Sequence, residues 1–69
     1  MQIKVGDLIY APAEVVLCVM DDESKMVLEY CRLPKPENLL VLDHDSKSLK
    51  VLYDSKVWWV KKKEVHNVG

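Results

Sequence analysis

This chain of 69 residues has no phenylalanine, two cysteines and two glycines. In the absence of phenylalanine, the two tryptophans and three tyrosines must supply every aromatic contact. The two cysteines, Cys18 and Cys31, lie in apolar runs and form neither a Cys-x-x-Cys motif nor a Cys/His cluster. Isolated cysteines of this kind are typical of buried, reduced thiols, so the sequence predicts a reducing, cytosolic environment and no structural metal site.

The chain also lacks long hydrophobic runs. No segment approaches the ~18 apolar residues that a membrane-spanning helix requires. Near the N-terminus, Gly6 and Asp7 interrupt the apolar stretch too early for the core of a signal peptide. We therefore expect a cytoplasmic protein that makes no contact with a membrane.

Motifs that carry catalytic chemistry are missing as well: there is no Gly-x-Ser-x-Gly, His-Glu-x-x-His, phosphate loop or dinucleotide fingerprint. His44 and His66 lie in polar surroundings typical of solvated histidines, although His44, between Asp43 and Asp45, could also bind a metal ion weakly. A cysteine nucleophile needs a cationic neighbour, and the runs around both cysteines supply none. The prediction is a protein that is not an enzyme and uses no cofactor. A deep pocket between subunits, lined by His44 or His66, would reopen the question of whether the protein is an enzyme.

The length and net charge of the chain further limit the kind of protein that it can be. A chain of 69 residues forms one domain, and so small a domain buries only about 60% of the surface that its unfolded chain exposes. The hydrophobic content of 49% suffices for one core. The net charge of −1 excludes a strongly basic nucleic-acid binder. Residues 1–48 carry five basic and nine acidic side chains, whereas residues 49–69 carry five and two, which hints at a basic patch in the C-terminal part.

Polar turns separate short β-branched and apolar runs along the chain. Pro34 and Pro36 mark the clearest loop, and Gly6-Asp7 is expected to form a turn or bulge because glycine tolerates a positive φ. The even spacing predicts five to six short antiparallel strands in a small all-β barrel or sandwich. The predicted extended segments are residues 2–5, which continue past the Gly6-Asp7 turn or bulge as 8–11, and then 14–20, 26–33, 39–43, 49–53 and 57–60. One helical or 3₁₀ turn at 61–64 and a short edge strand at 65–68 follow.

The segment 15–33 allows two interpretations. Its four valines and Tyr30 favour a hairpin whose turn is the polar stretch 21–25. Its methionine, leucine and glutamate residues are good helix formers, and Ser24 could cap a helix. The hairpin is the favoured interpretation, and a helix over part of the segment is the alternative.

Two segments resemble a known group of proteins. They are Val5-Gly6-Asp7-Leu8-Ile9 and Leu49-Lys50-Val51-Leu52-Tyr53-Asp54-Ser55, the latter followed by Trp59-Val60 and Val65. The pattern is similar to that of small SH3-like β-barrel proteins, many of which are short and bacteriophage-encoded. The resemblance implies a single SH3-like barrel over residues 1–69, in which the opening Gly-Asp strand pairs with the closing Trp-Val hairpin. A viral protein of this kind would act in the host cytoplasm. Such barrels usually carry glycine in the turn at 53–57, where this chain has none.

The pair Trp58-Trp59 also resembles the tryptophan pair of true SH3 domains, which bind proline-rich peptides. The acidic loop and the tyrosine motif of those domains are missing here, and Tyr10 and Tyr53 alone do not replace them. We therefore do not infer that this protein binds proline-rich peptides. Neighbouring residues of a strand point to opposite faces, so with Val60 inward, as the resemblance implies, Trp58 belongs to the core and Trp59 faces outward.

The outward Trp59 either covers the edge of the barrel or anchors a partner, because exposed tryptophan is enriched at binding hot spots. Lys61, Lys62 and Lys63 either form a solvated tail beside an edge strand or extend the surface around Trp59. In the second interpretation the aromatic and basic residues bind single-stranded nucleic acid or an acidic protein. Tyr53 completes this candidate partner-binding site.

We therefore predict a small non-enzymatic protein-interaction module with an unidentified protein partner, in the phage interpretation a host or virion protein. The alternative is a nucleic-acid-binding SH3-like barrel that uses the same aromatic and lysine residues. Phosphate neutralisation needs several aligned cations, and the acidic turn 21–23 would repel a nucleic-acid strand, which favours a protein partner. The predicted core residues are Val5, Leu8, Val16, Val19, Leu28, Val41, Val51, Trp58 and Val60.

Overall fold

Antiparallel strands account for the fold of this chain. The computed structural model describes residues 3–68, and within them every regular element is a β-strand except for one 3₁₀ turn. The all-β prediction is therefore confirmed. In chain order the elements are β1 (Leu8–Ala11), β2 (Val16–Met20), β3 (Val27–Arg32), β4 (Glu37–His44), β5 (Ser48–Tyr53), β6 (Lys56–Lys61), the 3₁₀ turn Lys62–Glu64 and β7 (His66–Asn67).

Within residues 3–68, the seven strands form one antiparallel sheet in the order β3-β2-β6-β5-β4-β1-β7, with the two-residue β7 as the seventh. Over the same range β3 and β7 do not pair with each other, so backbone hydrogen bonds do not close a barrel. The first strand, β1, pairs with β4 and β7. The pairing of the opening strand with the Trp-Val hairpin, which the resemblance implied, is therefore wrong, because β4 lies between β1 and that hairpin.

The segment 15–33 forms the hairpin β2–β3, as its valines favoured, and not a helix. Asp21 holds the turn: its carboxylate accepts hydrogen bonds from the N–H of Glu23 at 3.1 Å and from the hydroxyl of Ser24 at 3.0 Å. The N–H of Asp21 also donates to the carbonyl of Met26 at 2.9 Å. Local side-chain bonds of this kind offer the backbone an alternative to a helix, and here they stabilise the turn.

Gly6 and Asp7 fasten the chain to β4 before β1 begins. Gly6 has a φ of 93°, and its N–H donates to the carbonyl of Val41 at 2.8 Å, while the N–H of Val41 donates to the carbonyl of Asp7 at 2.9 Å. The predicted turn at this position is confirmed. Residues 3–5, by contrast, form no strand, and Gln2, the first residue of the strand predicted at 2–5, lies outside the described residues.

Buried apolar residues occupy alternate positions of the strands, as expected for a sheet with one buried face. Of the predicted core residues, Val41, Val51, Trp58 and Val60 are buried, and Val19 packs partly against them. The inner faces of β1, β2, β4, β5 and β6 therefore meet in one core. The buried residues are Ile9, Ala11, Leu17, Leu33, Leu39, Val41, Leu49, Val51, Trp58, Val60 and Val65.

Four predicted core residues are exposed instead: Val5, Leu8, Val16 and Leu28. Leu8 and Val16 are each followed by a fully buried residue, so the prediction chose the wrong phase of the alternation where two apolar residues stand side by side. Val5 precedes the first strand. Leu28 is 68% exposed because the β2–β3 ladder shifts register there and leaves this residue without a directly opposed partner.

The turn between β5 and β6 forms without the glycine expected of such barrels. Tyr53 pairs with Lys56, so the loop contains two residues. Asp54 has a φ of 53° and Ser55 a φ of 59°. A positive φ at both central residues defines a type I′ turn, whose twist matches that of the flanking strands. Aspartate enters the left-handed region more readily than serine does, so Ser55 carries the larger conformational strain.

Candidate binding surface

Strand β6 presents its two tryptophans to opposite faces of the sheet. Trp58 is 5% exposed, and its Nε1–H donates to the carbonyl of Tyr53 at 3.1 Å. Trp59, the next residue, is half-buried, and the Nζ of Lys50 lies 5.5 Å from the centre of its ring. The predicted orientation, with Trp58 inward and Trp59 outward, is confirmed.

A row of side chains crosses four strands on this outer face. Strand pairing places Tyr30 of β3 opposite Cys18 of β2, Cys18 opposite Trp59 of β6, and Trp59 opposite Lys50 of β5. Directly opposed residues of an antiparallel ladder lie on the same face, so the small Cys18 lies between two aromatic side chains. Two strand spacings of about 4.8 Å separate the backbones of the two aromatic residues, which leaves space for one inserted side chain above Cys18.

This row forms the centre of a surface groove with a volume of about 360 Å³, which we call the Trp59 groove. Tyr30 is 71% exposed at one side of the groove. Ser48, Lys61 and Glu64 supply its polar rim. The apolar and aromatic lining consists of Val16, Cys18, Met20, Val27, Tyr30, Trp59 and Val60.

The composition of β2 explains why this outer face is apolar. Leu17 and Val19 of β2 face the core, whereas Val16, Cys18 and Met20 line the groove. A strand that is apolar on both faces is typical of a strand covered on both sides. Within residues 3–68, however, the groove lies open on the outer side. An exposed apolar surface with a polar rim is typical of an interaction site.

A second depression adjoins the Trp59 groove and shares Ser48 and Lys61 with it. It has a volume of about 480 Å³ and lies between the β4–β5 loop and the end of β6. The N–H of Lys62 donates to the carbonyl of Lys47 at 2.9 Å, which joins the two segments. We call this site the basic depression; its lining residues are Ser46, Lys47, Ser48, Lys61, Lys62 and Lys63.

Asp45 determines the shape of the loop that borders the basic depression. Its carboxylate accepts hydrogen bonds from the N–H of Lys47 at 2.9 Å and from the N–H of Ser48 at 2.7 Å. These bonds hold the pKa of the Asp45 carboxyl below its ordinary value, with smaller contributions from the charges of Lys62 and Lys25. The carboxylate therefore remains ionised and serves the backbone of its own loop.

Four of the five predicted site residues come together in the structure. Trp59 and Lys61 line the Trp59 groove, and Lys61–Lys63 line the basic depression beside it. Tyr53 lies elsewhere: it shares the inner face of β5 with Val51 and packs against the core. Burial raises the pKa of the Tyr53 hydroxyl, and neighbouring acidic groups raise it further. The structure thus separates Tyr53 from the surface around Trp59.

Sequence reasoning missed Tyr30, Lys47 and Lys50, which belong to this surface. Tyr30 reaches the groove because Cys18 pairs with Trp59, a contact between segments far apart in the chain. The signal that could have indicated this position is the uninterrupted apolar sequence of β2, because a strand with apolar side chains on both faces is typical of a strand covered on both sides. Lys47 belongs to the basic depression only because the β4–β5 loop is bonded to the end of β6.

Both cysteines are free and half-buried, and so less buried than predicted. Cys18 faces the Trp59 groove, whereas Cys31 lies opposite Leu17 and packs against the core. The two thiols therefore point to opposite faces of the β2–β3 ladder and cannot bond to each other. Burial raises the pKa of the Cys18 thiol, and the charge of Lys61 lowers it by less. A thiol in this setting is not activated as a nucleophile.

Two further features of the described residues bear on other classes of site. Within residues 3–68, no three His, Cys, Asp or Glu side chains come close enough together to hold a metal ion. His44 is exposed at the end of β4, and the carboxylate of its neighbour Asp43 accepts a hydrogen bond from its N–H at 2.8 Å. Over the same residues, no helix has the length and apolar character needed to cross a membrane.

Comparison with known proteins assigns the chain to no family. No protein-family model matches the chain, and neither a curated protein nor a solved structure matches it. The case for a function therefore rests on the Trp59 groove and the basic depression.

Proposed function

We propose that this protein is a small non-enzymatic protein-interaction module that binds its partner through the Trp59 groove. The observation that carries this proposal is the row Tyr30-Cys18-Trp59, in which two aromatic side chains flank a small residue on an open apolar face. Binding hot spots are enriched in tryptophan and tyrosine, set in pockets with a polar rim. The resemblance to phage SH3-like barrels extends the proposal to a phage-encoded factor that acts on a host or virion protein in the host cytoplasm.

The setting of Cys18 supports binding over catalysis. Its thiol is the most reactive type of group on the groove floor, yet burial raises its pKa and so favours the protonated form. The thiolate, and not the thiol, is the nucleophile in cysteine chemistry. At neutral pH the floor of the groove is therefore a small, weakly polar surface that fits an apolar side chain of a partner.

The alternative is binding of single-stranded nucleic acid, and the basic depression beside Trp59 is the observation that favours it. Stacking on aromatic side chains combined with lysine contacts is the usual design of such sites. Two observations weigh against it. The lining between the two aromatic residues is largely aliphatic, and the acidic turn 21–23 directly follows Met20, a residue of the groove.

Affinity capture with two groove variants tests the proposal. Trp59→Ala removes one aromatic wall, and Cys18→Leu fills the floor without changing the charge of the protein. Truncation of a hot-spot residue weakens binding by about 2 kcal/mol or more, roughly 30-fold. Both variants should therefore lose the proteins that the wild type captures from a host lysate, as identified by mass spectrometry.

Tyr10→Ala is the matched control, because Tyr10 is also an exposed aromatic residue but lies on β1, away from the groove. This variant should capture the same proteins as the wild type. An unchanged set of captured proteins in both groove variants would show that Trp59 is a packing residue, and the proposed function would be wrong.

Titration with labelled single- and double-stranded oligonucleotides at low salt tests the alternative. Binding through phosphates weakens steeply as salt rises. Micromolar binding that disappears in the variant Lys61→Ala/Lys62→Ala/Lys63→Ala would replace the protein-interaction proposal by the nucleic-acid one. We expect no binding that depends on these lysines.

A further inference from the structure

We infer that the partner segment is a peptide with one apolar anchor residue and aspartate or glutamate residues close to it in sequence. The inference rests on the proposed function and adds the chemical class of the partner. The anchor residue enters the Trp59 groove, and the carboxylates lie over the basic depression.

Continuity between the two sites is the first argument. The Trp59 groove and the basic depression share Ser48 and Lys61, so a single extended segment can occupy both. An extended chain advances about 3.3 Å per residue. A few residues therefore suffice to connect an anchor above Cys18 with carboxylates over the lysines.

Uncompensated charge is the second argument. Within residues 3–68, two ion pairs form, Glu14 with Arg32 and Glu29 with Lys56, and neither uses a lysine of the basic depression. The depression brings together four lysines, at positions 47, 61, 62 and 63. The carboxylate of Asp45 in the adjoining loop interacts with the charge of Lys62 but already accepts two backbone hydrogen bonds. Glu64 lies on the rim of the Trp59 groove, so these two carboxylates stand against four lysines. Carboxylates from a partner would supply the missing opposite charge.

The shape of the groove argues for one anchor and not for several. Cys18 is the small residue of its row, with Tyr30 on one side and Trp59 on the other. Lys50 lies against the ring of Trp59 at 5.5 Å and limits access from the β5 side. The space above Cys18 therefore fits one aliphatic or aromatic side chain.

Charge placement favours a peptide over a nucleic acid. A nucleic-acid strand carries a phosphate at every nucleotide, so it cannot keep its charges away from the acidic turn 21–23 beside Met20. A peptide carries carboxylates only where its sequence places them. It can therefore satisfy the lysines of the basic depression and still avoid the acidic turn.

Selection from a random peptide display library tests the inference with the full-length chain as bait. We expect the recovered peptides to share an apolar residue with two or more acidic residues close to it. Their binding, measured by fluorescence anisotropy of the synthetic peptide, should be lost in Trp59→Ala. Because Trp59 is half-buried, Tyr30→Ala serves as a second groove variant: Tyr30 is 71% exposed, so its removal leaves the fold intact.

Reversal of charges on the protein and on the peptide tests whether the lysines of the basic depression contact the acidic residues of the peptide. Lys47 and Lys63 are exposed, and an exposed charge pair changes affinity by a factor of about two to five. Reversal of both, in Lys47→Glu/Lys63→Glu, should weaken a selected peptide roughly tenfold or more. The same variant should bind a peptide whose acidic residues are replaced by lysine better than the wild type does. Lys4→Glu/Lys35→Glu is the control with the same charge change elsewhere, and it should leave the affinity within about twofold at physiological salt.

Protection of the thiol provides an independent readout. Bound peptide should slow the alkylation of Cys18 by N-ethylmaleimide and leave that of Cys31 unchanged, because Cys31 lies on the opposite face.

Three outcomes would overturn the inference. Peptides that need Trp59 but carry no acidic residues would leave the proposed function standing and refute the acidic partner. An equal loss of affinity in the Lys4 and Lys35 control would refute the role of the basic depression. Recovery of no peptide that depends on Trp59, together with oligonucleotide binding that depends on the lysines, would assign the surface to nucleic acid.

Discussion

Replacement of Ser55 by glycine should stabilise this protein. Ser55 is the second central residue of the β5–β6 turn and has a φ of 59°. The left-handed region costs a residue other than glycine roughly 1–2 kcal/mol. Glycine avoids this strain but loses more backbone entropy on folding, by roughly 0.5–1 kcal/mol. The difference predicts an increase of about 0.5–1 kcal/mol in the free energy of unfolding.

A change of this size is measurable in so small a domain. At roughly 0.05–0.15 kcal/mol per residue, the free energy of unfolding of this chain is about 3–10 kcal/mol. A gain of 1 kcal/mol raises the melting temperature by about 4–8 °C in domains of this size. Urea denaturation followed by tryptophan fluorescence should show a higher midpoint for Ser55→Gly with an unchanged slope.

Ser46→Gly is the matched control. Ser46 is exposed in the β4–β5 loop and has no positive φ. Glycine there gains nothing in the folded state and increases the entropy of the unfolded chain, so we expect a loss of up to about 1 kcal/mol. If Ser55→Gly lowers the midpoint as Ser46→Gly does, the assignment of strain to the type I′ turn is wrong.

Three other predictions concern stability. Trp58→Phe should destabilise the protein by about 1–3 kcal/mol in urea denaturation, because it removes the hydrogen bond to the carbonyl of Tyr53 and leaves a buried void; an unchanged midpoint would contradict this. Gly6→Ala should cost roughly 1 kcal/mol, since its φ of 93° opposes a side chain although a Cβ would meet no atom within 4 Å; a neutral result would show that the turn relaxes. The folded state lowers the pKa of Asp45 below 3.8, so its contribution to stability is present above that value and is lost as pH falls through the folded pKa. Asp45→Asn should therefore show a smaller loss of stability than the wild type in acid denaturation, and identical acid profiles would refute the role of its hydrogen bonds.

The sequence predicted the strands well because local signals define them. Polar turns such as 21–25 and the β-branched runs around them indicated the β2–β3 hairpin, and the glycine at position 6 indicated the turn before β1. The phase of the alternation was harder to predict. Leu8 and Val16 each precede another apolar residue, so both phases satisfy the pattern, and only the pairing of β1 with β4 and of β2 with β3 decides between them.

The candidate binding surface was predictable only in part for a related reason. Trp59 and the three lysines are neighbours in sequence, so their proximity follows from the strand and the turn that carry them. Tyr30 and Lys47 join them through strand pairing and a loop contact across the chain. Tyr53 was misplaced although Val51 was predicted to lie in the core: the two residues are two positions apart in β5, so alternation puts the Tyr53 side chain on the same inner face as Val51.

The two faces of β2 also differ in what they contribute to folding. Leu17 is fully buried in the core, so its contacts contribute to folding, whereas Val16 and Met20 border an open groove. Threonine would suit these outer positions equally well, because β-branched polar residues are favoured in strands. Folding alone therefore does not require an apolar outer face, and exposed apolar surface increases the risk of aggregation. Its presence on one continuous side of three strands, around the small Cys18, is what the proposed partner would cover.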